Sequence, residues 1–343
     1  MRYIISVIIA LLLFTSCDHK ELCYHHPHTA KVRFDVDWSE FEEETPTGMT
    51  VMIYPQSGGK PLRHLTNTIS HAIVDLEADK YNSIVYNQSD TEFGSVMFAE
   101  MDDFYTAEVR TVEDESRWYT CRADNEKLAV QPEWVGTDCY TDAEVTPQMV
   151  EAAGDEYIAS ISQASQTRTQ YVIASHTPKN IIHTIYIKVY IKGIYNLRSA
   201  RASLTGLAEG YSFSQARTTD SQVTQLIEQW QLTADKNDPT QGYITAKITT
   251  MGLPYGHAEK PDDNEFNLSL LLVDNETIID VPFKVGDKLR KIQNDEGEYI
   301  LAFELELTLD DVLPDVKPSG SGEGGFKVTV DDWGEEQNVD INM

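Results

Sequence analysis

The 343-residue sequence predicts an all-β protein, and three of its properties carry that prediction. Short segments alternate apolar and polar residues; in the first of them Val32, Phe34 and Val36 share one face and charged residues share the other. Turn-forming residues separate these segments, and helical periodicity is almost absent. Because parallel α/β folds need crossover helices, the pattern indicates antiparallel β-sandwiches.

In the first half of the chain, alternation and turn residues place several strands and one helix. The strands are expected at residues 31–38, 49–54, 71–76, 81–86, 94–99, 105–111 and 127–130. Residues 147–153 form the predicted helix, since Pro147 suits a first helical turn. Residues 160–175 are rich in Ser, Gln and Thr, with a further strand near residues 171–174, and mark the expected domain boundary.

The second half alternates more strongly. Its strands are expected at residues 183–192, 198–207, 211–213, 243–251, 266–273, 277–283, 299–309 and 326–333. Residues 274–276 (Asp-Asn-Glu) predict a hairpin turn, and residues 222–231 a short helix or an ordered loop. The length suits two cores better than one, so we predict tandem β-sandwiches at residues 31–175 and 176–343.

The N-terminus has the pattern of a bacterial lipoprotein signal. Arg2 precedes an apolar run at residues 3–14, and Thr15 and Ser16 lead to Cys17. The run is too short to span a bilayer; the alternative is a buried first strand or helix. We therefore predict a signal peptide at residues 1–16, a mature chain that begins at an acylated Cys17, and a polar spacer that ends at residue 30.

The net charge restricts the possible partners, and the cysteines permit a disulfide. The formal net charge of −29 repels phosphate backbones and anionic headgroups, so nucleic acid is excluded as a partner. Outside the cytoplasm a disulfide is permitted, and Cys121–Cys139 is the preferred pair. Cys23 could displace either partner, and three thiols are the alternative.

Residues that could bind metal occur in three places. The N-terminal cluster comprises His19, Cys23, His25, His26 and His28. Its spacing matches no zinc motif, so a plain spacer is preferred. Acidic turns at residues 235–238 and 261–265 lack the register of a calcium loop, and acidic residues suit turns for backbone reasons. We predict no metal and no cofactor.

Catalytic motifs are missing from the sequence. It has no nucleophile elbow, zinc-protease pair or phosphate-binding loop. The remaining histidines are scattered, each without a sequence neighbour that could act with it: His64, His71, His176, His183 and His257. The prediction is a protein that is not an enzyme.

Tryptophans offer one alternative role. Trp38 and Trp333 are in phase with apolar strand residues and are expected in the core. Trp118 and Trp134 flank the Cys121–Cys139 segment and are expected to be partly exposed, where they could stack against a glycan.

The chain resembles the fimbrillin superfamily, especially its fimbrial anchor lipoproteins. The resemblance rests on Cys17 with nearby Cys23, and on strand patterns at residues 32–36, 185–191, 202–208 and 326–333. It implies two transthyretin-like Greek-key sandwiches and an outer-membrane fimbrial component. In the family, major subunits are cleaved after an arginine to open a groove for another subunit's strand. Candidate arginines here are Arg33, Arg110 and Arg122, but the short N-terminal segment favours an anchor.

The sequence therefore predicts a lipid-anchored fimbrial anchor, or a minor fimbrial or adhesion subunit, that assembles by β-strand addition. Its expected place is the outer membrane at the cell surface, with other fimbrial subunits as partners. The alternative is a surface glycan-binding lipoprotein.

Overall fold

A computed structural model describes residues 28–41, 45–123, 125–162, 169–257 and 261–320. In this part of the chain almost all regular structure is β-strand, and one α-helix is present. The all-β prediction is therefore confirmed. The described residues divide into two compact units, which we describe separately.

The strands and the helix follow one another along the chain in this order. The first part has β1 (Ala30–Val36), β2 (Met49–Pro55), β3 (Leu62–Thr66), β4 (His71–Leu76), β5 (Asp79–Asn87), β6 (Val96–Ala99), β7 (Glu108–Thr111), β8 (Leu128–Ala129), β9 (Gly136–Val145), α1 (Pro147–Ser162), β10 (Tyr171–His176) and β11 (Lys179–Asn180). The second part has β12 (His183–Lys192), β13 (Leu197–Ala208), β14 (Gly210–Ser212), β15 (Arg217–Thr218), β16 (Gln222–Ile227), β17 (Gln231–Ala234), β18 (Gln241–Thr250), β19 (Glu265–Leu272), β20 (Ile278–Lys284), β21 (Arg290–Gln293) and β22 (Tyr299–Val312).

The first unit comprises the described residues up to Ser89, together with Asp102–Phe104 and Gly136–Lys179. Its sheets have the strand orders β10-β1-β4 and β11-β9-β5-β2-β3. Alternation on β1 buries Val32 and Phe34, which pack in one apolar cluster with Val51 and Ile53 of β2. The two sheets of this unit thus share a core, as in a sandwich.

The second unit takes Asp90–Met101, Tyr105–Val135 and the described residues from Asn180 onward. Two five-stranded sheets have the orders β17-β18-β12-β22-β21 and β20-β19-β13-β16-β8, and a four-stranded sheet has the order β15-β14-β7-β6. Ile187 of β12 and Leu305 of β22 face Leu204 of β13 and Phe266 of β19 in one buried cluster. This cluster is the core between the two larger sheets.

The strand pairing is mostly antiparallel, but three pairs are parallel. They are β1 with β10, β12 with β22, and β16 with β8. The partners are far apart in sequence, and alternation records only which residues face the core. Pairing direction between distant strands therefore could not be read from the sequence.

The predicted helix and hairpin turn are present, and one further segment differs from its prediction. The predicted helix is present as α1 and the hairpin turn joins β19 to β20, with Asn275 at φ 63°. The region predicted as a short helix or loop is instead strand β16. There Val223 and Ile227 are buried, and tertiary pairing with β13 overrides the local preference.

The two compact units interleave along the chain, and the predicted domain ranges 31–175 and 176–343 stay a prediction. Strands β6, β7 and β8 precede the first unit's β9 in sequence but pair within the second unit. A composition boundary cannot show such a return of the chain, because it depends on which distant strand each segment joins.

Some expectations lie outside the described residues. They are the signal sequence, Cys17, Cys23, the other histidines of the N-terminal cluster up to His26, the strand at residues 326–333 and Trp333. Among the described residues, no helix combines the length and the apolar character that crossing a membrane requires.

Candidate binding groove

Cys121 and Cys139, the two cysteines of the predicted disulfide, both lie in the described part of the chain, and the bridge between them stays a prediction. Cys121 is exposed and belongs to the second unit. Cys139 is half-buried on β9 of the first unit, where it pairs with Ile84 of β5. Burial, followed by the charge of Asp138, raises the pKa of the Cys139 thiol to about 12, which makes it a poor nucleophile.

Three residues of the first unit form a polar chain that the sequence did not indicate. Ser83 Oγ lies 3.0 Å from His176 Nε2, and His176 Nδ1 lies 3.2 Å from Asp138 Oδ2. This order of groups is that of a serine hydrolase triad. However, Ser83 is 0% and His176 1% exposed, so no substrate can reach the hydroxyl. The chain satisfies buried polar groups and ties β5, β9 and β10 together.

The acidic turns use their carboxylates on local hydrogen bonds. Asp235 Oδ1 accepts from the backbone N–H of Asn237 at 2.7 Å, and Asp238 accepts from the Thr240 hydroxyl at 2.5 Å. The Thr240 bond, with others from Gln241 and the Thr240 backbone, lowers the pKa of Asp238. In the described part of the chain, no group of three or more His, Cys, Asp or Glu residues could hold a metal ion.

The predicted Trp118 site does lie beside a cavity. Residues 116–123, here called the covering segment, contact the face of β13 and β19 that points away from the core. Arg201 of β13 lies 5.3 Å from the Trp118 ring, and Arg122 Nη1 donates to Asn267 Oδ1 of β19 at 2.6 Å. Between the covering segment and the edge strand β20 a groove of about 590 Å³ remains, which we call the Trp118 groove.

The floor of the Trp118 groove is polar. Ser203 of β13 pairs in register with Asn267 of β19, which pairs with Pro282 of β20, and all three line the groove. Ser203 is 1% and Asn267 9% exposed; the Ser203 hydroxyl interacts with the Tyr119 hydroxyl, whereas Asn267 Nδ2 has no hydrogen-bond partner. Since Asn267 Oδ1 accepts from Arg122, the bond fixes the amide orientation and leaves the N–H groups unpaired.

The walls of the groove combine aromatic, apolar and charged groups. Trp118 and Tyr119 stand on one side, and Ile278 and Asp280 of β20 on the other. The Trp118 indole N–H donates to Glu228, and the ring meets Tyr119 edge-on at 5.7 Å, so its position is fixed. Arg122 and Asp280 are the charged residues of the lining, and their formal charges cancel.

A second cavity, of about 600 Å³, is also lined by Arg122, and five of its fifteen lining residues are acidic. Their charges have partners: Lys127 Nζ lies 2.8 Å from Glu209 Oε1, and Gln222 Nε2 donates to Asp263 at 2.8 Å. Burial opposes ionisation of Glu126, but hydrogen bonds from the Thr224 hydroxyl and the Arg122 backbone outweigh it and lower its pKa. These carboxylates stabilise the fold around the groove.

Sequence reasoning found the aromatic wall and missed the polar floor. Trp38 is 8% exposed, in the core as expected, while Trp118 and Trp134 are half-buried as expected; Trp134 does not line the groove. Polar residues at the outward positions of β13 and β19 look like ordinary solvent-facing residues. Only the covering segment, which a strand pattern does not reveal, buries Ser203 and Asn267.

The structure is that of an all-β protein with a candidate groove in its second unit and a buried serine, Ser83, in its first. The chain belongs to the family described as "Domain of unknown function (DUF5119)", whose model matches residues 16–228. The resemblance to fimbrial anchor proteins is confirmed by a curated relative.

Individual relatives are similar to this chain over most of its length. The chain is 22% identical, over 99% of its length and 98% of the relative's, to the "Putative fimbrium anchoring subunit Fim4B" of Bacteroides ovatus. A crystal structure of a "putative adhesin" from the same species superposes with a TM-score of 0.56 at 13% identity, covering 88% of this chain and 99% of that one. The fimbrial anchor protein Mfa2 of Porphyromonas gingivalis gives a TM-score of 0.43 at 12% identity, with coverage of 82% and 90%.

Proposed function

We propose that the protein is a fimbrial anchor or minor fimbrial subunit, held in the outer membrane at the cell surface by acyl chains such as palmitate on Cys17. The observation that carries the proposal is the match from end to end with a fimbrium anchoring subunit. The matched span includes the N-terminal segment with its signal pattern, which an anchored protein needs. The fold shared with a structure described as a "putative adhesin" agrees with a surface role.

Assembly by β-strand addition is the second part of the proposal. An incoming strand needs a sheet edge with unpaired backbone groups, and alternate side chains then set its register. Among the strands that end their sheets in the part of the chain that the structure describes, five carry a clearly exposed apolar side chain. They are β3 with Leu65 (54%), β6 with Met97 (51%), β10 with Val172 (53%), β17 with Leu232 (45%) and β20 with Ile278 (60%). Strand β21 also ends a sheet, but Arg290 and Lys291 already protect it.

Two transthyretin-like Greek-key sandwiches and a spacer from Cys17 to residue 30 complete the proposed organisation. In this organisation the protein acts by binding, because strand addition needs no catalytic group. The mature chain keeps its lipid and receives partner subunits on its sheets.

Mass spectrometry of the protein extracted from its own membranes tests the lipid anchor. We expect a mature N-terminus at Cys17 carrying acyl chains, and we expect Cys17→Ser to leave the chain unacylated and with its signal uncleaved. A new N-terminus after Arg33, Arg110 or Arg122 would instead identify a polymerising subunit and overturn the anchor proposal.

Lysine substitutions at the sheet edges test strand addition. A charge at an edge opposes pairing with another strand, so one of five lysine variants should abolish co-purification with fimbrial subunits: Leu65→Lys, Met97→Lys, Val172→Lys, Leu232→Lys and Ile278→Lys. The other four serve as matched controls and should retain the partner. If all five variants keep the partner, or if the native protein has none, strand addition is wrong.

A further inference from the structure

We propose that the hairpin of β21 and β22 docks against the same hairpin of a second copy of this chain. Residues 284–301, here called the hairpin arm, combine exposed apolar side chains with charges of opposite sign at the two ends. This self-association goes beyond the proposed function, which concerns the lipid and the sheet edges that receive other subunits, and it does not depend on that function.

The hairpin arm extends beyond the strand that supports it. Strand β22 pairs with β12 from Ala302 onward, whereas its pairing with β21 continues to Tyr299. The turn at the tip is held by Asn294, whose side-chain oxygen accepts from the backbone N–H groups of Glu296 at 3.1 Å and Glu298 at 2.8 Å. The tip is therefore ordered before any partner binds, which lowers the entropy cost of docking.

Three consecutive apolar residues of the hairpin arm are exposed. Tyr299 is 67%, Ile300 43% and Leu301 40% exposed. The register of β21 and β22 shifts here, between Lys291 and Gln293, and such an irregularity bends a strand and re-aims its side chains. Single exposed apolar residues are normal, but a contiguous group marks an interaction site. We call residues 299–301 the arm patch.

The charges of the hairpin arm are segregated by sign. Its base, residues 284–291, has four basic residues and one acidic residue, a formal charge of +3 in a chain whose net charge is −29. Its tip, residues 294–298, has three acidic residues and no basic one, a formal charge of −3. Both ends are solvent-exposed, so these charges are available to a partner.

The lysines of the base are the cations left for that partner. Arg290 lies 3.7 Å from Glu304 and 3.6 Å from Glu306 of its own sheet. Lys291 has a distant contact with the Tyr299 ring, 6.0 Å from the ring centroid. Among the described residues, neither Lys288 nor Lys291 forms an ion pair.

This order of charges selects a second copy as the occupant. In a two-fold pair the same surface is used by both copies, so two hairpin arms that run in opposite directions place the tip of each over the base of the other. Carboxylates then face lysines at both ends, and the two arm patches meet between them. The net charge of −29 opposes approach from a distance, but at physiological ionic strength charges more than about 8 Å apart are screened.

Other occupants fit this surface less well. A lipid surface with anionic headgroups repels the three carboxylates of the tip. An incoming strand is opposed by Arg290 and Lys291, which place charge along the free edge of β21. Contact between the side chains of two hairpin arms needs neither a membrane nor a free edge.

Sedimentation equilibrium of the full mature chain, produced without acyl chains, tests the association. We expect a monomer–dimer equilibrium with a dissociation constant of about 1–100 μM, because one hairpin arm offers less area than a standard interface. Ile300→Ser combined with Leu301→Ser should raise that constant about 10-fold or more by removing the arm patch. Leu62→Ser combined with Leu65→Ser is the matched control, since it replaces two exposed leucines of β3 and should not change the constant.

Charge reversal tests the opposite direction of the two arms. Lys291→Glu alone, or Glu296→Lys alone, places like charges at both ends of the pair and should weaken the dimer about 10-fold or more. In a mixture of the two variants, one chain carries carboxylates at both positions and the other carries lysines. A heterodimer with nearly native affinity should therefore form, which sedimentation of a mixture with one labelled variant can measure.

Three results would overturn the proposal. One is a native chain that stays monomeric at about 1 mM, well above the expected dissociation constant. Another is a dimer that the paired serine substitutions leave intact, or whose charge variants associate no better when mixed than alone. The third is flotation with vesicles of phosphatidylethanolamine and phosphatidylglycerol that the serine substitutions abolish, which would assign the arm patch to lipid. Since the substituted residues are exposed, all variants should keep the native melting temperature.

Discussion

The thiols of Cys121 and Cys139 differ in what surrounds them. Cys121 is exposed, while Cys139 is half-buried on a strand with its pKa raised to about 12. We expect iodoacetamide at pH 8 to modify Cys121 within minutes and Cys139 only after unfolding, as peptide mass spectrometry can measure. If neither cysteine reacts before reduction and both react after it, the originally predicted disulfide forms in the mature protein.

The carboxylate of Asp138 gives the first unit a pH-dependent contribution to stability. Burial opposes its ionisation, but hydrogen bonds from His176 and the Thr177 backbone N–H outweigh burial and lower its pKa below 3.8. Its contribution is therefore present above the pKa of the unfolded chain and is lost as the pH falls through the lower pKa of the folded protein.

We therefore expect Asp138→Asn to lower the free energy of unfolding by about 1–2 kcal/mol at pH 7, with the difference from wild type shrinking below about pH 4. Urea unfolding at a series of pH values measures it. Asp37→Asn, which removes an exposed carboxylate from the same unit, should have little effect at any pH. A difference that grows on acidification would contradict the assignment.

For single residues, the sequence predicted the exposure of a side chain better than its hydrogen-bond partners. Trp38 and Trp118 were placed correctly because alternation and position in a strand or loop decide exposure. The Ser83–His176–Asp138 chain was missed because its members lie on three different strands that only the fold brings together. The burial of Ser203 and Asn267 was missed because the covering segment, which is distant in sequence, lies over them only in the folded protein.

Strand β12 is the element on which the second unit most depends. It lies between β18 and β22, and Ile187, 1% exposed, faces the core while Tyr186, 47% exposed, faces solvent. We expect Ile187→Ala to reduce the free energy of unfolding by about 2–5 kcal/mol because it leaves a cavity in that core. Tyr186→Ala should cost less than about 1 kcal/mol. Equal losses in chemical denaturation would mean that β12 does not have this register.

Elements with a strong local pattern were predictable. The expected strand at residues 183–192 coincides with β12, and the turn at residues 274–276 joins two strands as expected. Strand β16 could not be predicted, since its short apolar pattern fits either a helix or a strand. Its pairing with β13 makes it a strand. Parallel pairing could not be predicted either, because side chains alternate in the same way in parallel and antiparallel strands.

For the whole molecule, the interleaved units predict how a truncated chain behaves. A fragment of residues 176–343 lacks β8, whose Leu128 and Ala129 are buried beside β16, and β7, which pairs with β14. We expect its melting temperature to lie at least about 5 °C below that of the intact chain, because core and ladder contacts are lost. Differential scanning calorimetry measures this.

A peptide of residues 105–135 supplied separately should restore part of the lost stability, and a scrambled peptide of the same composition should not. A fragment that unfolds at the temperature of the intact chain would instead support a contiguous boundary at residue 175.

The same interleaving bears on limited proteolysis. The chain passes between the units at residues 89–90, 101–102, 104–105, 135–136 and 179–180, so several covalent connections join them where tandem domains have one. A single cut between residues 135 and 136 therefore divides both units, and neither unit is complete on one fragment.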